Sequence, residues 1–68
     1  MNNLKELRMQ KGVTQFELAT YLYIKQNTYS QYENERRQLP IDIMIKLSRY
    51  YNVSIDYLLG LTDNDSPI

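Results

Sequence analysis

Apolar positions recur along this chain at three- and four-residue intervals, the spacing that lines one side of a helix. Leu4 and Leu7 stand among Lys5, Glu6, Arg8 and Lys11, which predicts a short amphipathic helix, and Gly12 falls where a left-handed C-terminal cap belongs. A second helix starts at Thr14. Thr14-Gln15-Phe16-Glu17 forms a capping box, in which the hydroxyl and the carboxylate satisfy free backbone amides reciprocally. Its inward stripe is Leu18, Ala19 and Leu22, and the small Ala19 admits a close neighbour. Ile24 packs under a tight turn, and a third helix runs to about Glu33 with Thr28, Tyr29 and Tyr32 as its inward side.

The polar stretch from Asn34 to Leu39 predicts a loop. Pro40 suits the first turn of a fourth helix, where its missing amide costs nothing. Ile41, Met44, Ile45 and Ser48 then follow the i, i+3, i+4, i+7 rule and form the expected buried stripe, with Leu47 and Tyr51 alongside. Asn52 is a candidate left-handed cap, Ser54 caps a last short helix over residues 55–59, and Gly60 closes it. The pattern predicts an all-α domain of five helices over residues 1–62, followed by a polar, flexible C-terminal tail over 63–68. No strand, repeat or internal linker interrupts it.

Sixty-eight residues allow one small core. The absence of cysteine and histidine removes disulfides, thiolate metal sites, the commonest metal ligand and the usual general base near neutral pH. Glu6, Glu17 and Glu33 lie on short helices, where carboxylates are normally solvated, and none pairs with another around a cleft. We therefore expect no enzymatic activity, no catalytic residue, no metal and no cofactor, and no small-molecule ligand is evident. No apolar run approaches the roughly 20 residues that span a bilayer, and no signal-peptide pattern opens the chain, so a soluble cytoplasmic protein without a membrane partner is expected.

The richest segment is 14–33, two short helices joined by a tight turn, a helix-turn-helix pattern. The second of these concentrates amides and hydroxyls near its start, and Gln26, Asn27, Ser30 and Gln31 share one face. Glutamine and asparagine donate and accept together, which matches adenine's N6 and N7 edge in the major groove of duplex DNA. A solvated polar face is the default for any surface helix; the helix-turn-helix setting favours base contact instead. Arg36 and Arg37 follow in the next loop, and two guanidiniums there favour phosphate or minor-groove contact over mere solubility.

Charge only partly agrees. Eight basic and eight acidic side chains cancel, unlike the basic profile of many DNA binders. Residues 1–37 hold six basic and four acidic side chains, and residues 38–68 hold two and four, so the front half is the more positive.

Leu4-Lys5-Glu6-Leu7-Arg8, Gly12-Val13-Thr14-Gln15, Glu17-Leu18-Ala19, Tyr32-Glu33-Asn34 and the run from Asn52 to Gly60 occur here in one order and spacing. Together they resemble the Cro and phage-repressor (xenobiotic-response-element) family of helix-turn-helix domains, over about residues 3–62. The resemblance implies a compact lambda-repressor-like fold and a sequence-specific transcriptional regulator, usually a repressor, bound as a homodimer to a two-fold symmetric operator in double-stranded DNA. It implies base contacts from Gln26, Asn27 and Gln31, with Ser30 joining them. It places Gln15, Asn34, Arg36 and Arg37 near phosphates, with Thr28 nearer the backbone or the core, and makes Arg8 and Glu33 a structural ion pair. Thr14 at the start of the second helix and Lys25, by its charge, are further phosphate candidates.

Three residues depart from the family pattern. Tyr23 stands where the turn usually has glycine, Lys25 where the third helix usually has a capping hydroxyl, and Glu35 where the following loop usually has glycine. Glu35, the neutral net charge, the outward Phe16 and the less clearly inward Tyr21, Tyr23 and Tyr50 suit a second possibility, a protein-interaction module on the same scaffold, such as an anti-repressor or a toxin-neutralising partner. Tyr57, Leu58 and Leu61 near the end either form a self-association surface or close the core.

Overall fold

A computed structural model describes residues 1–65; the last part of the expected tail, 66–68, lies outside the described residues. Five helices follow in order: α1 (Leu4–Lys11), α2 (Gln15–Leu22), α3 (Gln26–Glu33), α4 (Ile41–Tyr51) and α5 (Ile55–Leu58). No strand is present among the described residues.

Local chemistry sets most of the boundaries. Gly12 ends α1 with φ 77°, its N–H donating to the carbonyls of Arg8 and Met9. At the start of α2, the Glu17 N–H donates to Thr14 Oγ1 at 3.0 Å, and the Thr14 N–H donates to Glu17 Oε1 at 2.8 Å. Pro40 precedes α4, standing one residue before its first turn. Asn52 ends α4 in the left-handed region at φ 57°, and Ser54 Oγ accepts from the Tyr57 N–H to start α5. Leu59 already caps α5, which is one turn long.

The core is assembled from every helix. Leu4 and Leu7 of α1 meet Leu18, Ala19 and Leu22 of α2, Tyr29 and Tyr32 of α3, Ile43 and Leu47 of α4, and Leu58 of α5. Leu39 and Val53, from the flanking loops, complete it. Thr28, expected to face inward, is only half-buried.

Helix α4 is rotated from its expected phase. Its buried side is Ile43 and Leu47, whereas Ile41 is 72 % and Ile45 38 % exposed. Met44, Tyr50 and Tyr51 flank the buried side as half-buried neighbours. Both sides of α4 carry apolar residues at helical spacing, so periodicity marks the helix but leaves its orientation to packing. Leu58 also requires correction as a self-association residue: it is 1 % exposed, inside the core. Tyr57 is half-buried and Leu61 exposed.

Tyr23 keeps the left-handed turn despite its side chain, with φ 59° and ψ 42°. Its ring is 91 % exposed, with Lys46 Nζ 6.0 Å from the centroid, so little packing offsets the strain. A left-handed L-residue costs roughly 1–2 kcal/mol, and glycine returns part of that through the freedom of its unfolded chain. Tyr23→Gly is therefore expected to stabilise the fold by about 1 kcal/mol, raising Tm in thermal unfolding by roughly 4–8 °C. A lowered Tm would show that the ring contributes more than the backbone loses.

Candidate nucleic-acid interface

α2 and α3 pack closely against each other through Leu18, Ala19, Leu22, Tyr29 and Tyr32. With Tyr29 and Tyr32 turned inward, helical geometry turns Gln26, Asn27, Ser30 and Gln31 outward. Gln26 and Asn27 are exposed; Ser30 and Gln31 are half-buried. The amides of Gln26, Asn27 and Gln31 make no hydrogen bond within the described residues, so their donors and acceptors are open. Asn34 Nδ2 approaches Ser30 Oγ at 3.4 Å, tying the end of α3 to this face.

Around this face lie groups suited to anions. Thr14 Oγ1 accepts in the capping box, which leaves its hydroxyl proton free to donate. Gln15 Nε2 donates to Glu33 Oε1 at 3.0 Å; the amide has a second N–H. Lys25 is exposed at the N-terminus of α3 and makes no side-chain cap, as expected from the missing hydroxyl. Arg36 and Arg37 are exposed and make no ion pair within the described residues. Glu35 introduces the loop in the left-handed region at φ 58°, where glycine is the easy residue.

A buried ionic knot holds α1, α2 and α3 in register. Arg8 Nε donates to Glu33 Oε2 at 2.6 Å, Arg8 Nη2 to Glu33 Oε1 at 3.4 Å, and Arg8 Nη1 to the Val13 carbonyl at 3.1 Å. The Glu33 side chain is only 3 % exposed. Burial alone would push its carboxyl up; hydrogen bonds from Arg8 and Gln15, with the guanidinium charge, hold it below its ordinary value. The same hydrogen bond to Glu33 raises Arg8. Tyr29 Oη and Tyr51 Oη are buried nearby without hydrogen-bond partners, and burial pushes both phenols up. Gln15 therefore braces α3 through Glu33 as well as bordering the open face.

Two asparagines unassigned by the sequence pattern tie the N-terminal segment to the arginine loop on one side and to α5 on the other. Asn2 Nδ2 donates to the Tyr32 carbonyl at 3.0 Å, and the Asn2 N–H donates to Glu35 Oε2 at 3.3 Å. Asn3 reaches the other way, with Nδ2 donating to the Tyr57 carbonyl at 2.7 Å and its N–H to the Leu58 carbonyl at 2.9 Å. A Cβ at Gly60 would lie 1.8 Å from the Met1 carbonyl oxygen, so glycine there lets the N-terminal segment lie flat. Asn2, Arg36, Arg37, Leu39 and Leu59 line a shallow cleft of about 320 Å³ beside the loop. At the start of α1 the Leu4 N–H donates to Asn2 Oδ1 at 3.2 Å, and Asn3 makes no side-chain cap.

The described residues contain no group of metal-ligating side chains and no helix long and apolar enough to cross a membrane. A family model described as helix-turn-helix matches residues 4–58. Among curated proteins of Bacillus subtilis (strain 168), the HTH-type transcriptional regulator ImmR is 51 % identical over 57 residues, covering 84 % of this chain and 45 % of the relative. The uncharacterized HTH-type transcriptional regulator YobD is 41 % identical over 64 residues, covering 94 % of this chain and 57 % of the relative. YqaE, also an uncharacterized HTH-type transcriptional regulator, is 38 % identical over 63 residues and is covered over 54 % of its length. The chain thus spans about half the length of the curated relatives it matches. An open α3 face, the fold around it and these matches agree: the chain belongs to the helix-turn-helix family of Cro and phage-repressor type.

Proposed function

We propose that this chain binds a specific double-stranded DNA sequence and regulates transcription, as a repressor acting through a homodimer on a two-fold symmetric operator. α3 enters the major groove. Gln26, Asn27, Ser30 and Gln31 meet base edges, while Thr14, Gln15, Lys25, Thr28, Asn34, Arg36 and Arg37 meet phosphates on either side. The observation that carries this is the open amide face of α3 beside two arginines with no ion-pair partner of their own. The regulator names of the relatives point the same way. Two recognition helices would lie about 34 Å apart, one DNA turn, to read both half-sites.

Selection of bound sequences from a random duplex library tests the proposal. A recovered palindrome with half-sites one turn apart supports it. Failure to enrich any sequence, with no binding to random duplex even at low salt, overturns it. That second outcome would favour the protein-interaction module, for which Phe16 at 65 % and Tyr23 at 91 % exposure supply an apolar surface on α2 and the turn.

The arginines act as point charges on phosphates. Arg36→Ala with Arg37→Ala is expected to weaken operator and random duplex alike. Each lost phosphate contact should flatten the plot of log K against log salt by about 0.9. An unchanged slope removes both residues from the interface.

A further inference from the structure

The outward side of α4 carries apolar surface that the core does not use. Ile41 and Ile45 stand one turn apart, away from the buried Ile43 and Leu47. Beside them Asp42, Lys46 and Arg49 are all exposed. At about 100° per residue the outward arc runs Ile41, Ile45, Arg49, Asp42, Lys46, so the charges occupy one flank of the isoleucines and not the other. Along the helix axis this flank is acidic at its N-terminal end and basic at its C-terminal end. The helix dipole favours that polarity on any helix, but it gives no reason for two exposed isoleucines beside it.

We propose that this face docks a second copy of the same chain, α4 against α4, antiparallel about a two-fold axis near Ile45. An antiparallel two-fold pairing brings each flank against itself with its ends reversed. Position 42 then lies opposite position 48 of the second copy, between that copy's Lys46 and Arg49. Unlike charges meet at both ends, and the isoleucines close on each other at the centre. A parallel pairing would instead lay the charged flank against the partner's uncharged one, with Met44 and Ser48, leaving Asp42, Lys46 and Arg49 without opposite charges, so the stripe favours the antiparallel direction. Arg49 is the freer cation, because Lys46 leans toward Tyr23.

This placement deepens the proposed function, resting on it only for the dimer. It takes over from the end of α5, where Leu58 is in the core and the Tyr57 and Leu58 carbonyls hold Asn3. Eleven residues of helix span only about 16 Å, and the resulting contact falls short of the roughly 800 Å² per partner typical of stable complexes. Association is therefore weak in free solution and strengthened when both copies hold one operator.

Sedimentation equilibrium from about 10 μM to 1 mM tests this, with far-UV circular dichroism to confirm folding. Wild type should show a monomer–dimer equilibrium in that range. Asp42→Arg should weaken it at least about tenfold, the loss of one well-placed charge pair turned to repulsion. Asp42→Arg combined with Lys46→Asp and Arg49→Asp should restore it, because the stripe is again self-complementary. The chain has no cysteine, so Ile45→Cys supplies a single thiol. Mild oxidation should link that variant to its copy, whereas the Leu61→Cys variant should remain monomeric.

A wild type that stays monomeric throughout, leaving the face to a different partner, overturns the proposal. Association indifferent to the charge swaps overturns it too, as does cross-linking of the Leu61→Cys variant in place of the Ile45→Cys variant. Binding to a random duplex at low salt keeps the two conclusions apart. A monomer that still binds DNA sinks only this dimer surface, and a dimer that does not bind sinks only the DNA reading.

Discussion

Arg8→Ala is expected to destabilise the domain by about 3–5 kcal/mol, the typical cost of stranding one partner of a buried ion pair. Domains of this size have a total stability of the same order, at roughly 0.05–0.15 kcal/mol per residue. Much of the variant should therefore be unfolded at ambient temperature, read as a collapse of the urea midpoint. The size of the effect follows from geometry. Glu33 is almost wholly enclosed and would keep only the Gln15 amide, while the Val13 carbonyl would lose its guanidinium donor. A loss under about 1 kcal/mol would mean that water reaches Glu33 and that the pair is an ordinary surface bridge.

The pH dependence carries the same information with opposite signs in the two proteins. In the wild type the Glu33 carboxyl sits below its ordinary value. Its contribution is complete above the unfolded carboxyl value of about 4.3 and is lost as pH falls through the lower folded value. Without Arg8, burial becomes the dominant influence and lifts the carboxyl above its unfolded value. Protonation then favours the folded state, so the variant should gain stability on mild acidification where the wild type does not.

The contrast between Arg8 and α4 shows which features can be read from a chain of letters. Helix starts and stops are local chemistry. Thr14 with Glu17, Ser54, Gly12 and Asn52 each mark a boundary by what a side chain or a positive φ does within four residues. The open face of α3 was legible for the same reason, since Tyr29 and Tyr32 fix its inward side. α4 was legible as a helix but not in its rotation, because Ile41 and Ile45 are as apolar as Ile43 and Leu47. Only packing against the rest of the core, in which Ile43 and Leu47 join residues of every other helix, decides between the two sides.

Contacts across long separations were silent. Asn2 and Asn3 bond to residues 30 or more positions away, and nothing in their immediate neighbours announces it. The letters around Leu58 suit core and interface equally, and its burial in the core comes from packing across the whole fold. The pairing of Arg8 with Glu33 came from family resemblance, not from any pattern in the two segments themselves. Tyr23 is the instructive middle case: the letter flagged strain at a turn, and the backbone retains that turn with the strain in place.

On an operator recovered by selection, Gln26→Ala and Gln31→Ala are each expected to lower affinity by about 1–3 kcal/mol while random duplex is bound almost as before. Gln26 should matter more, because its amide is fully open at the entrance to α3 whereas Gln31 is half-buried against the helix. Neither side chain holds another part of the fold, so thermal unfolding should not change and any loss belongs to recognition. Because a glutamine amide both gives and accepts, the loss should concentrate where the selected sequence has adenine, and alanine should relax preference at that base alone. Equal losses on operator and random duplex would move the glutamines to the phosphates. Base choice would then rest with Asn27, Ser30 or the shape of the DNA under Arg36 and Arg37.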